Sequence, residues 1–228
     1  LERMRSCHFA YFMEYGLRAR PRETAAFDAP QIGTFLHFLL ENVTRDVLAE
    51  GGFAAVEQEE LHRLVRRYTE RYVEQELHNF QNRNARFRYL FARLRTTAYA
   101  VIDQVAAELR CSDFVPMAFE LSFGGKNGAL SAVTISEPDG ELRVGGKVDR
   151  VDGWLHDGRL YLRVVDYKSG RKSFDLANVR MGLDIQMLLY LFALQKEGKR
   201  YFSREIEPAG VLYLPARDEI LSMERNVT

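Results

Sequence analysis

The chain has 228 residues with 46% apolar content, enough to bury one substantial core or a core with a helical annex. Its 32 Lys and Arg balance its 32 Asp and Glu, so no global basic charge marks a nucleic-acid binder, although 26 of those cations are arginines suited to bidentate phosphate contact. Its longest uncharged run, Ala29 to Leu40, is too short to cross a bilayer, no signal-peptide pattern opens it, and two distant cysteines make no extracellular disulfide framework, so a cytoplasmic location is expected.

Residues 3–15 are apolar and aromatic at helical spacing, and Pro21 to Pro30 reads as a linker. Ile32, Phe35, Leu36, Leu39, Leu40, Val43 and Val47 form an amphipathic stripe that ends before Gly51-Gly52. A helix over about 56–78 carries Leu61, Leu64, Val65, Tyr68 and Tyr72, and a longer one over about 85–109 carries Phe87, Leu90, Phe91, Leu94, Val101, Val105 and Leu109. Arg63, Arg66, Arg67 and Arg71 alternate with acids and read as a solvated face. Arg83, Arg86, Arg88, Arg93 and Arg95 lie in an acid-free stretch with Phe87, Tyr89 and Phe91 among them. Arginines interleaved with aromatics suit the phosphates and bases of single-stranded DNA.

After Asp113 the period changes. Phe119, Leu121 and Phe123 alternate with polar neighbours as a strand, and a glycine-rich turn (Gly124 to Gly128) leads into a second strand through Ile135. Asp157-Gly158 then separates two alternating runs, at about 142–155 and 159–168, as a two-residue hairpin. A helix over Asp184 to Gln195 sets Gln186 and Tyr190 at i and i+4, and Gly210 to Leu214 reads as a short buried strand.

If Asp157-Gly158 is the turn, residues whose numbers sum to about 315 face each other, which sets Asp149 opposite Asp166. Val151, Leu155, Leu160, Leu162 and Val164 share that face and are expected to be buried. Trp154 opposes Tyr161 on a mixed face with Arg150, Asp152 and Arg163. Two carboxylates at ~5 Å repel by about 3 kcal/mol at an effective dielectric of ~20, so the pair calls for a cation or a shared proton. Lys168 lies two residues beyond Asp166 on the same face. A carboxylate pair with a nearby lysine is what a Mg²⁺- or Mn²⁺-dependent phosphodiesterase needs. Glu120 is either a third acid near the metal or an exposed strand residue. Taken alone, His37 would be a surface or capping histidine, and Gln186 and Tyr190 polar residues at the core edge.

Four motifs carry a resemblance. Gly33-Thr34-Phe35-Leu36-His37 (G-x-x-x-H), Gly145 to Asp149 (G-x-x-x-D), Val164 to Gly170 (V-V-D-Y-K-S-G) and Gln186 to Tyr190 (Q-x-x-x-Y) resemble, in order and spacing, the RecB-type branch of the PD-(D/E)XK nucleases. The opening Cys7-His8-Phe9-Ala10-Tyr11-Phe12 and Tyr15-Gly16-Leu17 are similar to the start of the nuclease domain of AddB-type helicase–nuclease subunits, with His8 where that pattern has proline.

The resemblance implies an α/β fold: a restriction-endonuclease-like core with a mixed central sheet and an N-terminal helical region. Residues 1–228 would form one nuclease domain, mainly helical over 1–112 and sheet-containing and catalytic over 113–228. It further implies a metal held by His37, Asp149, Asp166 and the Tyr167 carbonyl, with Lys168, Gln186 and Tyr190 serving catalysis. DNA exonuclease activity in double-strand-break resection and recombinational repair would follow, acting on single strands from unwound duplex beside an AddA-type subunit. Cys7 matches one ligand of a [4Fe–4S] cluster whose other ligands form a C-terminal group, so the cluster is expected only in a longer parent, from which this chain looks cut. The alternatives are a stand-alone RecB-like exonuclease of the CRISPR-associated kind and a DNA-binding scaffold whose nuclease site has decayed.

Overall fold

A computed structural model describes residues 2–19, 29–77, 85–124, 128–137, 140–168 and 175–215. In chain order its elements are α1 (Glu2–Ser6), α2 (His8–Tyr11), a π-helical turn (Phe12–Gly16), α3 (Ala29–Ala49), α4 (Gln58–Glu76), α5 (Ala85–Arg110), β1 (Val115–Phe123), β2 (Val133–Glu137), β3 (Gly140–Val144), β4 (Gly146–His156), β5 (Arg159–Lys168), α6 (Leu176–Arg180), α7 (Gln186–Phe202) and β6 (Ile206–Pro215). They fall into two compact units. One comprises Leu1–Ala26, Asp113–Asp166 and Lys172–Tyr213; the other comprises Phe27–Ser112, Tyr167–Arg171 and Leu214–Thr228.

The helical unit is built on the apolar stripes. Phe35, Leu36, Leu39, Leu40, Val43 and Val47 of α3 are buried with Leu61, Leu64, Val65, Tyr68 and Tyr72 of α4 and Phe91, Leu94, Val101, Val105 and Leu109 of α5. Phe35 meets Tyr72 and Phe91 edge-on at 5.0 and 5.6 Å. Helix α3 starts earlier than its stripe. Ala29 and Pro30 form its first turn, where a proline forfeits no intrahelical hydrogen bond. The rest of the expected linker, 21–28, lies outside the described residues.

In the other unit a four-stranded mixed sheet has the order β1-β4-β5-β6, with antiparallel pairs up to β5 and a parallel β5–β6 pair. Helix α7 lies on one face, and Met187, Tyr190, Leu191, Ala193 and Leu194 are buried against Val151, Leu160, Leu162 and Val164. Several sequence expectations shift. The run expected at 142–155 is two strands, because β3 pairs with β2 in a separate two-stranded sheet while β4 joins the main one, and Gly145 is the break between them. Helix α7 continues past Gln195 to Phe202 and packs closely at Gly198, where a Cβ would sit 2.5 Å from Ile206 Cδ1. Leu155, expected in the core, is 53% exposed, whereas Leu160 directly opposite it is buried.

Candidate active site

The β4–β5 ladder runs in the expected register, from His156 opposite Arg159 to Arg150 opposite Val165. Asp149 and Asp166 are the next residue on each strand beyond that last pair. Asp166 is 7% exposed, and Asp149 is half-buried.

Strand β1 adds a third acid. Phe119 faces Arg150 and Leu121 faces Val148, so Glu120 occupies the place across from Asp149. Carboxylate oxygens of Glu120 and Asp149 lie within 4.8 Å of each other. Glu120 also has a φ of +50°, a left-handed conformation seldom taken by a non-glycine residue inside a strand. Its effect shows in the packing. Ala118 and Leu121 of β1 both enter the α7-side core, as do Val151 and Val148 opposite them, although strict alternation would send residues three apart to opposite faces. The side-chain alternation therefore slips by one at Glu120 and Asp149. Left-handed backbone costs a non-glycine residue roughly 1–3 kcal/mol and concentrates at functional sites. Glu120 also forms an ion pair with Lys147, a partner the sequence did not suggest.

Gln186 and Tyr190 pair as their spacing requires: the Gln186 amide donates to the Tyr190 hydroxyl at 2.6 Å. The Tyr190 ring packs edge-on against Phe123 at 5.1 Å and lies over Gly146, where an added Cβ would come 2.7 Å from a ring carbon. Gly146 is thus a second necessary glycine beside the Gly145 of the motif, and the doubled glycine was its only trace in the sequence.

On the opposite face of β4, Arg150 and Asp152 are fully buried. Arg150 Nε lies 2.7 Å from Asp152 Oδ1, Arg163 Nε lies 2.9 Å from Oδ2, and the Arg163 guanidinium stacks 4.7 Å over Phe114. The sequence read this face as mixed. One carboxylate shared between two guanidiniums makes burial of all three charges tolerable, and it anchors the strand next to Asp149.

In the helical unit, His37 of α3 sets Nε2 3.3 Å from the carbonyl oxygen of Tyr167, with the two rings edge-on at 5.7 Å. With its proton on Nε2, the imidazole donates to that carbonyl. Tyr167 directly follows Asp166 in β5, and half-buried Lys168 ends the strand. On α5, Arg88, Arg93 and Arg95 are exposed beside Tyr89; Arg86 lies in the same helix, and Arg83 lies outside the described residues.

The hard oxygen donors of Glu120, Asp149 and Asp166 suit Mg²⁺ or Mn²⁺, and a cation there would relieve the repulsion among them. A four-thiolate iron–sulfur cluster does not fit. The 228 residues contain two cysteines, both exposed, and the Cys7 thiol accepts a hydrogen bond from Ala10 N–H at the start of α2.

A mixed sheet with an acidic row on adjacent strands, followed by a lysine and faced by a Gln–Tyr helix, defines a nuclease core. Residues 1–227 match the PD-(D/E)XK nuclease superfamily, and the chain belongs to it. The chain is similar to a subunit of the ATP-dependent helicase/deoxyribonuclease of Clostridium tetani, at 30% identity over 230 residues, covering 100% of this chain and 20% of that protein. The same subunit from Caldanaerobacter subterraneus is 32% identical over 233 residues with the same coverage, and that from Acetivibrio thermocellus is 32% identical over 223 residues, 97% of this chain and 19% of that protein. The chain thus spans about a fifth of the length of these relatives. Among the described residues, no helix is long and apolar enough to cross a membrane.

Proposed function

We propose that this chain hydrolyses phosphodiester bonds of single-stranded DNA with Mg²⁺ or Mn²⁺, as the nuclease module of an AddB-like helicase–nuclease subunit that resects broken ends for recombinational repair beside an AddA-type partner. One observation carries the reading: Glu120 and Asp149 hold facing places on β1 and β4 with carboxylate oxygens within 4.8 Å, and Asp166 follows the last β4–β5 pair on the third strand, with Lys168 two residues on. The names of the similar subunits support DNA as the substrate and a helicase as the setting.

In this reading Asp149 and Asp166 hold the cation, with Glu120 as accessory acid and His37 and the Tyr167 carbonyl completing the set. The bound ion supplies Lewis acidity toward the phosphate and lowers the pKa of a bound water. Lys168 balances the charge that develops on the phosphate oxygens, a role for an ammonium near but not on the metal. The Gln186–Tyr190 pair orients the strand. Arg83, Arg86, Arg88, Arg93 and Arg95 contact phosphates of the strand and read no sequence.

End-labelled single-stranded DNA incubated with Mn²⁺ tests the proposal. The wild-type chain is expected to cut it, whereas Lys168→Ala should bind Mn²⁺ with near wild-type affinity and cut at least ~100-fold more slowly, the usual scale for one electrostatic group. Cleavage by Lys168→Ala at the wild-type rate would remove the lysine from the chemistry. A wild type that binds the strand without cutting it would favour a scaffold function.

A further inference from the structure

Within the sheet-containing unit, a cleft of about 730 Å³ opens between the N-terminal segment and the start of α7, walled by Arg3, Tyr15, Arg143, Gly145, Gln186 and Tyr190. Neither motif chemistry nor the metal site accounts for the first three. We infer that this cleft seats the stretch of single-stranded DNA next to the scissile phosphate, with Arg3 and Arg143 on the backbone phosphates and Tyr15 stacking on a base. The inference rests on the nuclease reading above and adds a substrate subsite to it.

Position comes first. Gly145 lies four residues before Asp149 on the way into β4, roughly 13 Å along a strand, a span of a few nucleotides. Gln186 and Tyr190, the hydrogen-bonded pair assigned to orienting DNA, also line the cleft.

Chemistry follows. The Arg3 guanidinium touches Glu14 through Nε at 3.1 Å with both side chains about half exposed, and Arg143 pairs with Glu141 at 3.1 Å on a still more open surface. Exposed pairs of this kind contribute little, so a phosphodiester can take either guanidinium without a large loss. Asp184 also borders the cleft, where Asn178 donates to its carboxylate at 3.1 Å. Tyr15 is 58% exposed and sits in the π-helical turn, with its ring 5.0 Å from that of Tyr11. Single π-turns are rare and recur at functional sites. An exposed tyrosine in one cleft with two arginines matches the aromatic-plus-cation surface that tracks single strands without reading sequence.

The test measures binding of a fluorescent 12-mer of oligothymidylate to the 228-residue chain across a salt series, in Ca²⁺ to hold back cleavage. Arg3→Ala/Arg143→Ala is expected to lower the salt slope by about 1.4 units, at ~0.7 per single-strand phosphate, and Arg3→Lys/Arg143→Lys should restore it. Tyr15→Ala should weaken binding by roughly 5-fold or more at an unchanged slope, while Tyr15→Phe keeps wild-type affinity. An unchanged slope in the double alanine variant, or wild-type affinity in Tyr15→Ala, overturns the subsite while wild-type cleavage leaves the nuclease reading standing. A lysine pair that fails to restore the slope also overturns it, since the effect would then be structural. A wild-type chain that neither binds nor cuts the 12-mer sinks both.

Discussion

Glu120 and Asp149 hold facing places on β1 and β4 with carboxylate oxygens within 4.8 Å, and Glu120 does so with a φ of +50°. Two like charges and a strained backbone at one point oppose folding in the absence of a cation. Glu120→Gln keeps the backbone and the side-chain shape while deleting one charge. Without divalent metal it is expected to gain about 1 kcal/mol of stability, a fraction of the Coulomb cost because the site is half-exposed. The rise in Tm on adding Mn²⁺ should shrink relative to wild type. Thermal melts with and without Mn²⁺ read both quantities, and a destabilised metal-free variant would show that the Lys147 ion pair outweighs the repulsion.

Gly146 marks where β4 meets the Gln186–Tyr190 helix. Gly146→Ala would bring a methyl group 2.7 Å from a Tyr190 ring carbon, so the tyrosine must shift. The expected cost is about 1–3 kcal/mol, as for overpacked sites, together with slower cleavage because Tyr190 moves with Gln186. Gly33→Ala supplies the contrast: a Cβ there meets nothing within 4 Å, and alanine should stabilise α3 by up to about 1 kcal/mol. Equal melting temperatures for Gly146→Ala and wild type would mean the ring relaxes freely.

Asp152 neutralises two guanidiniums in the interior. Asp152→Ala removes the carboxylate that pairs with the fully buried Arg150 and is expected to cost about 3–5 kcal/mol in a urea titration. Arg150→Met/Asp152→Leu removes both charges and should recover most of that loss. A single variant that loses under about 1 kcal/mol would show that Arg150 finds water or another acid.

The hairpin was legible because its signals are local. Asp157-Gly158 fixed the turn, the turn fixed the register, and the register placed Asp149 at the level of Asp166. The helices were legible for a similar reason: the stripes of α3 and α4 are continuous, and every residue expected to be buried in α4 is buried. Features that depend on a neighbour distant in sequence were not legible. The slip at Glu120 arises from how β1 meets β4, and no glycine or proline announces it. Arg150 and Asp152 were read only as part of a mixed face, because alternation cannot tell a solvated face from one covered by other chain segments. The sequence pattern ended α7 at Gln195, short of Gly198, which is a point of close packing on Ile206.

The proposed chemistry stands or falls on Asp149 and Asp166 jointly holding one divalent cation. Titration calorimetry with Mn²⁺ on wild type, Asp149→Ala and Asp166→Ala decides this. One site per chain is expected in the wild type, with loss of measurable binding in both variants, each of which should stay folded because it also removes a like charge. Wild-type Mn²⁺ affinity in Asp166→Ala would contradict shared coordination.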